Sequence, residues 1–265
     1  MALERHKKPR LNDFLIVWLW PIFASLFSFL IQANTLVSTL LFFGVPSLYL
    51  SFKHKHCVKM IFLFSFTFSI PFAIILDYIM EITQGWYIPS SFFDPYRILG
   101  YVSIEQLIWL FLYLYLVAIF YEAFLEKTCT HRLYSSHLKY GIILLYLIFG
   151  LFIIIHLTKH ELLEINYFYL KFGIVLGLLP IAVALIKFPR LYTQFLQTAA
   201  YFFYLSFLYE VTALVLGQWT FPATNQFVGF LSLGSISFPF EELFFWIILG
   251  AMGALSYYKL LGEKG

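Results

Sequence analysis

Two adjacent carboxylates, Glu241 and Glu242, stand just after Pro239 at the head of an apolar run. Charge is scarce in this chain, because 12% of its residues are charged and 62% are hydrophobic. A proline followed by glutamates is typical of a helix start, since the proline loses no helical hydrogen bond and the carboxylates favour the positive end of the helix dipole. The chemical alternative is that one carboxyl group, kept neutral by apolar surroundings, acts as a general acid.

Three further acids, Asp77, Glu105 and Glu210, lie inside apolar runs or at their edges. An acidic residue in a membrane span is costly and is by default a functional candidate. For Asp77 and Glu210 the other interpretation is a buried, hydrogen-bonded strut between two halves of the protein. The sequence alone leaves both interpretations open.

The acids belong to a pattern that occurs twice. Three pairs of residues are separated by 133 positions: Trp86 and Trp219, Pro89 and Pro222, and Asp77 and Glu210. Glu105 and Glu241 are 136 positions apart, so the second loop has gained three residues. The spacing predicts an internal duplication, with a first repeat at 1–133 and a second at 134–265.

These acids must be positioned by membrane helices. A mean hydropathy of +0.84 and an aromatic content of 22% are typical of an integral membrane protein. A spanning helix needs roughly 20 mostly apolar residues. The sequence therefore predicts an all-α, polytopic membrane helix bundle of about eight transmembrane helices in two parallel four-helix repeats. The predicted spans are 14–31, 35–52, 60–80, 104–124, 138–155, 168–186, 198–216 and 240–260.

Basic residues predict the orientation of this bundle. With both termini cytoplasmic, 14 of the 17 Lys and Arg residues fall in inner segments, and only Arg97, Lys159 and Lys171 lie outside. The net charge of +3 is therefore attributed to the basic residues that set the membrane orientation, and not to binding of a nucleic acid. Because four helices are an even number, the repeats run parallel, and all the candidate acids gather at the outer ends of spans three, four, seven and eight. One chemical centre between the repeats, in a multi-pass protein of the cell membrane, is the expected arrangement.

The repeated order of an acid, a Trp-x-x-Pro segment, a glycine and a Pro-x-Glu-Glu helix start resembles a known family. The family is the integral-membrane lycopene cyclases, which occur as paired small subunits in actinobacteria and as fused domains in archaea and fungi. The second copy, from Pro239 to Phe245, matches closely. In the first copy Ser103 replaces the proline and Gln106 replaces the second glutamate, so that only Glu105 remains.

The resemblance implies cyclisation of the acyclic ψ end of lycopene, or of a related linear carotenoid, to a β-ionone ring without net redox change. Glu241 or Glu242 would protonate the terminal double bond, and Glu105, Asp77 and Glu210 would orient, relay or accept protons. No metal and no cofactor is implied, and the partners would be the substrate, the bilayer and other carotenoid enzymes in a homo- or hetero-oligomer. The expected substrate-binding residues are Trp86, Trp109, Trp219, Pro239, Phe244, Phe245 and Trp246.

Other interpretations stay open at this stage. Trp86 and Trp219 are also typical of aromatic anchors at the membrane interface. A hydratase would capture the same cation with water, and a non-enzymatic carrier would only bind a lipid or carotenoid. A retinal protein would need a buried lysine, and Lys171 is the one lysine near a span. The chain has no Gly-x-Gly-x-x-Gly motif and no Asp-rich pair for magnesium, which argues against a dinucleotide-binding enzyme and a prenyltransferase.

Overall fold

Long apolar helices make up most of the computed structural model, which describes residues 11–126 and 136–262. Within these ranges, seven helices are long and apolar enough to cross a membrane. They are α1 (Leu11–Leu30), α2 (Thr35–Lys53), α3 (Lys55–Ile82), α4 (Ile104–Leu125), α5 (His137–Leu163), α6 (Phe168–Lys187) and α7 (Pro189–Val215). The predicted all-α membrane bundle is confirmed at this level.

The last predicted span is not one straight helix. It consists of α8 (Glu242–Ile248) and α9 (Gly250–Gly262), which meet at an angle of 50°. The pair counts as an eighth span if both segments together cross the membrane. The bend follows a π-helical stretch over all of α8, and π-turns are a recognised cause of kinks.

Two β-hairpins interrupt the helical pattern, one before α4 and one before the last predicted span. The first pairs β1 (Arg97–Ile98) with β2 (Val102–Ser103), and the second pairs β3 (Phe230–Leu233) with β4 (Ile236–Pro239). Each hairpin leads directly into a helix start, at Ile104 and at Phe240. Both lie at one end of the bundle, here called the hairpin end.

The segments that precede the two hairpins pair with each other. Tyr87 and Thr220 form an antiparallel β-bridge in which each backbone N–H donates to the other residue's carbonyl at 2.9 Å. These two residues follow Trp86 and Trp219 directly and are themselves 133 positions apart. The bridge therefore joins the two Trp-x-x-Pro segments at matching positions.

Helices α2 and α6 deviate from α-helical geometry in the same way. Each contains a π-helical segment, Leu40–Gly44 in α2 and Gly173–Leu178 in α6. A proline, Pro46 or Pro180, is the second residue of the next α-helical stretch. A proline lacks the N–H for the usual bond and its ring presses on the carbonyl four residues earlier, so a wider turn before it relieves the conflict.

Lys259, which the sequence analysis counts among the basic residues of the inner segments, lies in the last turn of α9. It sits inside α9 with 5% of its surface exposed, at the end of the bundle opposite the hairpins. Its Nζ lies 3.0 Å from Oε2 of Glu126 and 4.9 Å from the centre of the Tyr121 ring. A buried ammonium group needs such partners, because an unpaired charge in an apolar interior is strongly unfavourable.

Close packing between α6 and α8 predicts different outcomes for two glycines on one face of α6. A Cβ at Gly173 would lie 2.3 Å from Cγ of Phe245, whereas a Cβ at Gly177 would meet no atom within 4 Å. We expect Gly173→Ala to lower the free energy of unfolding by about 1–3 kcal/mol through overpacking. Gly177→Ala is the matched control, and thermal denaturation in detergent measures both; equal Tm values would contradict the packing described here.

Candidate functional site

A cavity of about 210 Å³ lies inside the bundle and reaches the hairpin end. Its wall is mostly apolar and aromatic, but it includes the four acids Asp77, Glu105, Glu210 and Glu242. These come from α3, α4, α7 and α8, the helices that the sequence analysis expects to meet at their outer ends. Four of the five predicted catalytic acids are thus brought together on one cavity wall.

Two of these acids are held in the same manner. The indole Nε1 of Trp86 donates to Oδ1 of Asp77 at 3.1 Å, and Nε1 of Trp219 donates to Oε1 of Glu210 at 3.1 Å. In each pair the tryptophan follows its acid by nine residues. The tryptophans are therefore part of the cavity and bind the acids within their own half of the chain.

Each of these acids keeps one buried carboxyl oxygen without a hydrogen-bond partner among the described residues. The atoms are Oδ2 of Asp77 and Oε2 of Glu210, in side chains that are 2% and 1% exposed. A buried polar atom without a partner costs free energy, so an unsatisfied acid calls for a functional explanation. Both oxygens belong to residues of the cavity wall.

Glu105 and Glu241 fix the loops that lead into their helices. The backbone N–H of Val228 donates to Oε1 of Glu241 at 2.8 Å, and the N–H of Phe92 donates to Oε1 of Glu105. Both donors precede their glutamate by 13 residues. The hydroxyl of Ser91 also donates to Glu105, at 2.7 Å to Oε2. These contacts give both glutamates a positioning role, and Glu241 does not line the cavity.

Glu242 is the member of the adjacent pair that faces the cavity. The hydroxyl of Tyr169 donates to its Oε2 at 2.8 Å, and Glu210 is close enough to interact with it electrostatically. At the corresponding position of the first half stands Gln106, whose Oε1 accepts the N–H of Ser103 at 2.7 Å. Gln106 thus caps the start of α4, and the second half has an additional acid at the matching position.

Aromatic rings surround the acids. The ring centres of Trp109 and Trp246 are 4.4 Å apart, and Tyr113 lies 4.0 Å from Trp246. Trp86 makes an edge contact with Tyr169 at 5.3 Å, which joins the first half of the chain to the second. Ring faces of this kind attract a cation within about 6 Å of their centres.

Two predicted substrate-binding residues lie outside the cavity wall. Pro239 ends β4 and is buried there, and Phe244 is 40% exposed on the other side of α8. The remaining predicted residues, Trp86, Trp109, Trp219, Phe245 and Trp246, line the cavity. The angle between successive side chains differs between a π-helix and an α-helix. α-Helical spacing therefore does not predict which of Phe244 and Phe245 faces the cavity.

The sequence analysis missed Tyr169 and an ion-pair cluster beside the cavity. Tyr169 is 73 residues from Glu242, so no local spacing reveals the contact. Arg97 lies 3.2 Å from Asp94 and 3.8 Å from Glu81, and its Nη2 donates to the carbonyl of Ile88 at 2.9 Å. The backbone N–H of Ser91 donates to the exposed Asp94 and holds the pKa of that carboxyl below its ordinary value.

Comparisons with family models, curated proteins and solved structures find no match to this chain. Among the described residues, no group of three or more His, Cys, Asp or Glu side chains is arranged to hold a metal ion. The interpretation of the site therefore depends on its own geometry.

The paired indole–carboxyl contacts predict a specific loss of stability. In Trp86→Phe the buried Asp77 loses its indole hydrogen bond, and in Trp219→Phe the buried Glu210 loses its own. We expect each substitution to lower the free energy of unfolding by about 1–3 kcal/mol. Trp18→Phe is the control, because Nε1 of Trp18 is buried without a partner among the described residues. Thermal denaturation of the purified proteins measures the difference, and a Trp18→Phe variant as destabilised as the other two would contradict it.

Proposed function

We propose that this chain is a membrane enzyme that cyclises the acyclic ψ end of lycopene, or of a related linear carotenoid, to a β-ionone ring. The observation that carries the proposal is the apolar, aromatic-lined cavity whose wall holds Asp77, Glu210 and Glu242. A proton-initiated cyclisation needs a proton donor, a proton acceptor and a dry, cation-tolerant pocket, and this cavity offers groups for each role.

The proposal includes the architecture and orientation. Two parallel four-helix repeats, at 1–133 and 134–265, would form eight spans with both termini cytoplasmic. Support comes from the matching indole–carboxyl bonds, the matching π-segments of α2 and α6, and the bridge between Tyr87 and Thr220. The boundary between the repeats lies outside the described residues.

In the proposed mechanism Glu242 is the general acid. Its proton adds to the terminal double bond of the ψ end and leaves a tertiary carbocation. The neighbouring double bond attacks that cation, which closes the six-membered ring and moves the positive charge into it. A carboxylate, Asp77 or Glu210, then removes a ring proton and restores a double bond. One proton is donated and one is accepted, so the product is an isomer of the substrate.

The surrounding residues would support these steps. Tyr169 donates to Glu242 and fixes its orientation, while Trp109 and Trp246 present rings to the developing cation. Glu105 and Glu241 hold the segments that precede the two hairpins against the helix starts. We assign these two glutamates a positioning role.

Pigment analysis of lycopene-accumulating cells that express the chain tests the proposal. We expect cyclic products with the unaltered protein, and a loss of about 10²–10⁴-fold in cyclisation with Glu242→Gln, the usual contribution of a general acid. Glu161→Gln is the control, since Glu161 is an exposed carboxylate outside the cavity wall.

The other pigment patterns are equally informative. Full activity of Glu242→Gln would refute the acid assignment. A hydroxylated acyclic product would identify a hydratase, in which water captures the cation. Unchanged lycopene, with the protein shown to be folded in the membrane, would contradict cyclisation and favour a carrier.

A further inference from the structure

The cavity extends well beyond the acids. On α3 it is lined by Phe68, Phe72, Leu76 and Asp77, which share one face of the helix. Phe68 lies nine residues before Asp77, which corresponds to about 13 Å along the helix axis at 1.5 Å per residue. The proposed chemistry uses only the end at Asp77, so the deeper part of the cavity needs another explanation.

A similar depth is reached on three other helices. The cavity contacts α6 from Tyr169 to Gly177 and α9 from Gly250 to Tyr257. On α4 it extends from Glu105 to Leu114, nine residues or about 13 Å along the axis. The deep part is therefore enclosed by α3, α4, α6 and α9, and it runs along the helices toward the middle of the spans.

Two glycines leave this deep part open. Gly253 is buried, yet a Cβ built on it would meet no atom within 4 Å, and the same holds for Gly177. Glycines nearer the acids are different, because a Cβ at Gly250 would lie 2.8 Å from the hydroxyl oxygen of Tyr113. The empty space beside Gly177 and Gly253 is thus the cavity itself, whereas Gly250 permits close packing.

The deep part also reaches the lipid-facing surface. Leu176 lines the cavity and is 37% exposed, and the hydroxyl of Tyr257 donates to its carbonyl at 3.0 Å in an exposed position. Leu176 lies near the middle of α6, so this surface faces hydrocarbon and not a headgroup region. The cavity wall therefore reaches the lipid-exposed surface at Leu176, where α6 and α9 meet at the depth of the bilayer core.

We infer that the deep part of the cavity is a channel for the rigid polyene chain of a linear carotenoid, which enters sideways from the bilayer between α6 and α9. The inference rests on the proposed function and names where the substrate beyond the reacting end is bound. Gly177 and Gly253 give the chain room, and Tyr257 lies beside the point of entry. The reacting end stops at the acids, where Oδ2 of Asp77 and Oε2 of Glu210 are buried without partners among the described residues.

The shape of the deep cavity favours a polyene chain over other ligands. An elongated, apolar channel beside aromatic rings suits a long, stiff hydrocarbon, and a solute that arrives from the lipid phase needs no aqueous path. An inorganic cation would find carboxyl groups of the cavity wall only at the hairpin end. Carotenoids that differ only far from the reacting end would therefore be distinguished by how they fit past the two glycines.

Lycopene binding to the protein in lipid nanodiscs tests the channel directly. Energy transfer from the tryptophans of the cavity wall to the polyene reports binding without any turnover. We expect Gly177→Leu and Gly253→Leu to weaken lycopene binding about tenfold or more, because each leucine side chain would occupy space that the polyene needs. Gly150→Leu is the matched control, because Gly150 also has no atom within 4 Å of a Cβ but lies on α5 outside the cavity.

A short probe keeps the test decisive if the leucine variants bind poorly. The ten-carbon hydrocarbon 2,6-dimethylocta-2,6-diene carries the reacting end alone and should bind at the acids in all variants, which would show that the site is folded. Gly253→Ala should give an intermediate lycopene affinity. Equal lycopene affinity in the leucine variants and Gly150→Leu, or no lycopene binding by the unaltered protein, would overturn the channel.

Failure of the channel and failure of the proposed function give different results. Cyclic pigments formed at full rate by Gly177→Leu and Gly253→Leu would refute the channel and leave the cyclase intact. Lycopene binding that the glycine variants abolish, without any cyclic pigment from the unaltered protein, would support the channel and refute the cyclase.

Discussion

The structure depends on one constraint, which is the placement of carboxyl groups within membrane-spanning helices. A charged side chain at the centre of a spanning helix costs about 2.5–3.5 kcal/mol, and a polar atom without a partner adds to that cost. Asp77 and Glu210 each receive one indole hydrogen bond, and Glu242 receives one from a tyrosine. Each acid is supported just enough to be tolerated, and two of them retain an unsatisfied oxygen at the cavity.

The hairpins and irregular helices follow from the same constraint. The acids must lie at helix ends, close to one another, and a bundle of straight helices would also bury them against neighbouring side chains. Glu105 and Glu241 bind the segments that lead into their helices. The bend of 50° between α8 and α9 directs α9 away from the axis of α8. Space opens beneath the acids as a result, and Trp109 and Trp246 line it.

Much of this could be predicted from the sequence, because apolar length and repeated spacing are local signals. Seven of the spans and the gathering of Asp77, Glu105, Glu210 and Glu242 follow from them, whereas the cavity positions of five aromatic residues are expected from the family resemblance. The contact between Tyr169 and Glu242 joins distant helices, so no spacing predicts it. Glu242 lines the cavity and Glu241 does not. Which of two adjacent residues faces the cavity depends on the angle between successive side chains, and the π-helical segment changes that angle.

The bridge between Tyr87 and Thr220 has a consequence for how such a protein can arise. It pairs two segments at matching positions, antiparallel and with both hydrogen bonds exchanged. An interface in which a segment meets its own counterpart is isologous, the kind found in two-fold symmetric homodimers. One four-helix unit could therefore assemble with a second copy of itself before any fusion. In a single chain, two such units need not be identical, and Gln106 and Glu242 differ at matching positions.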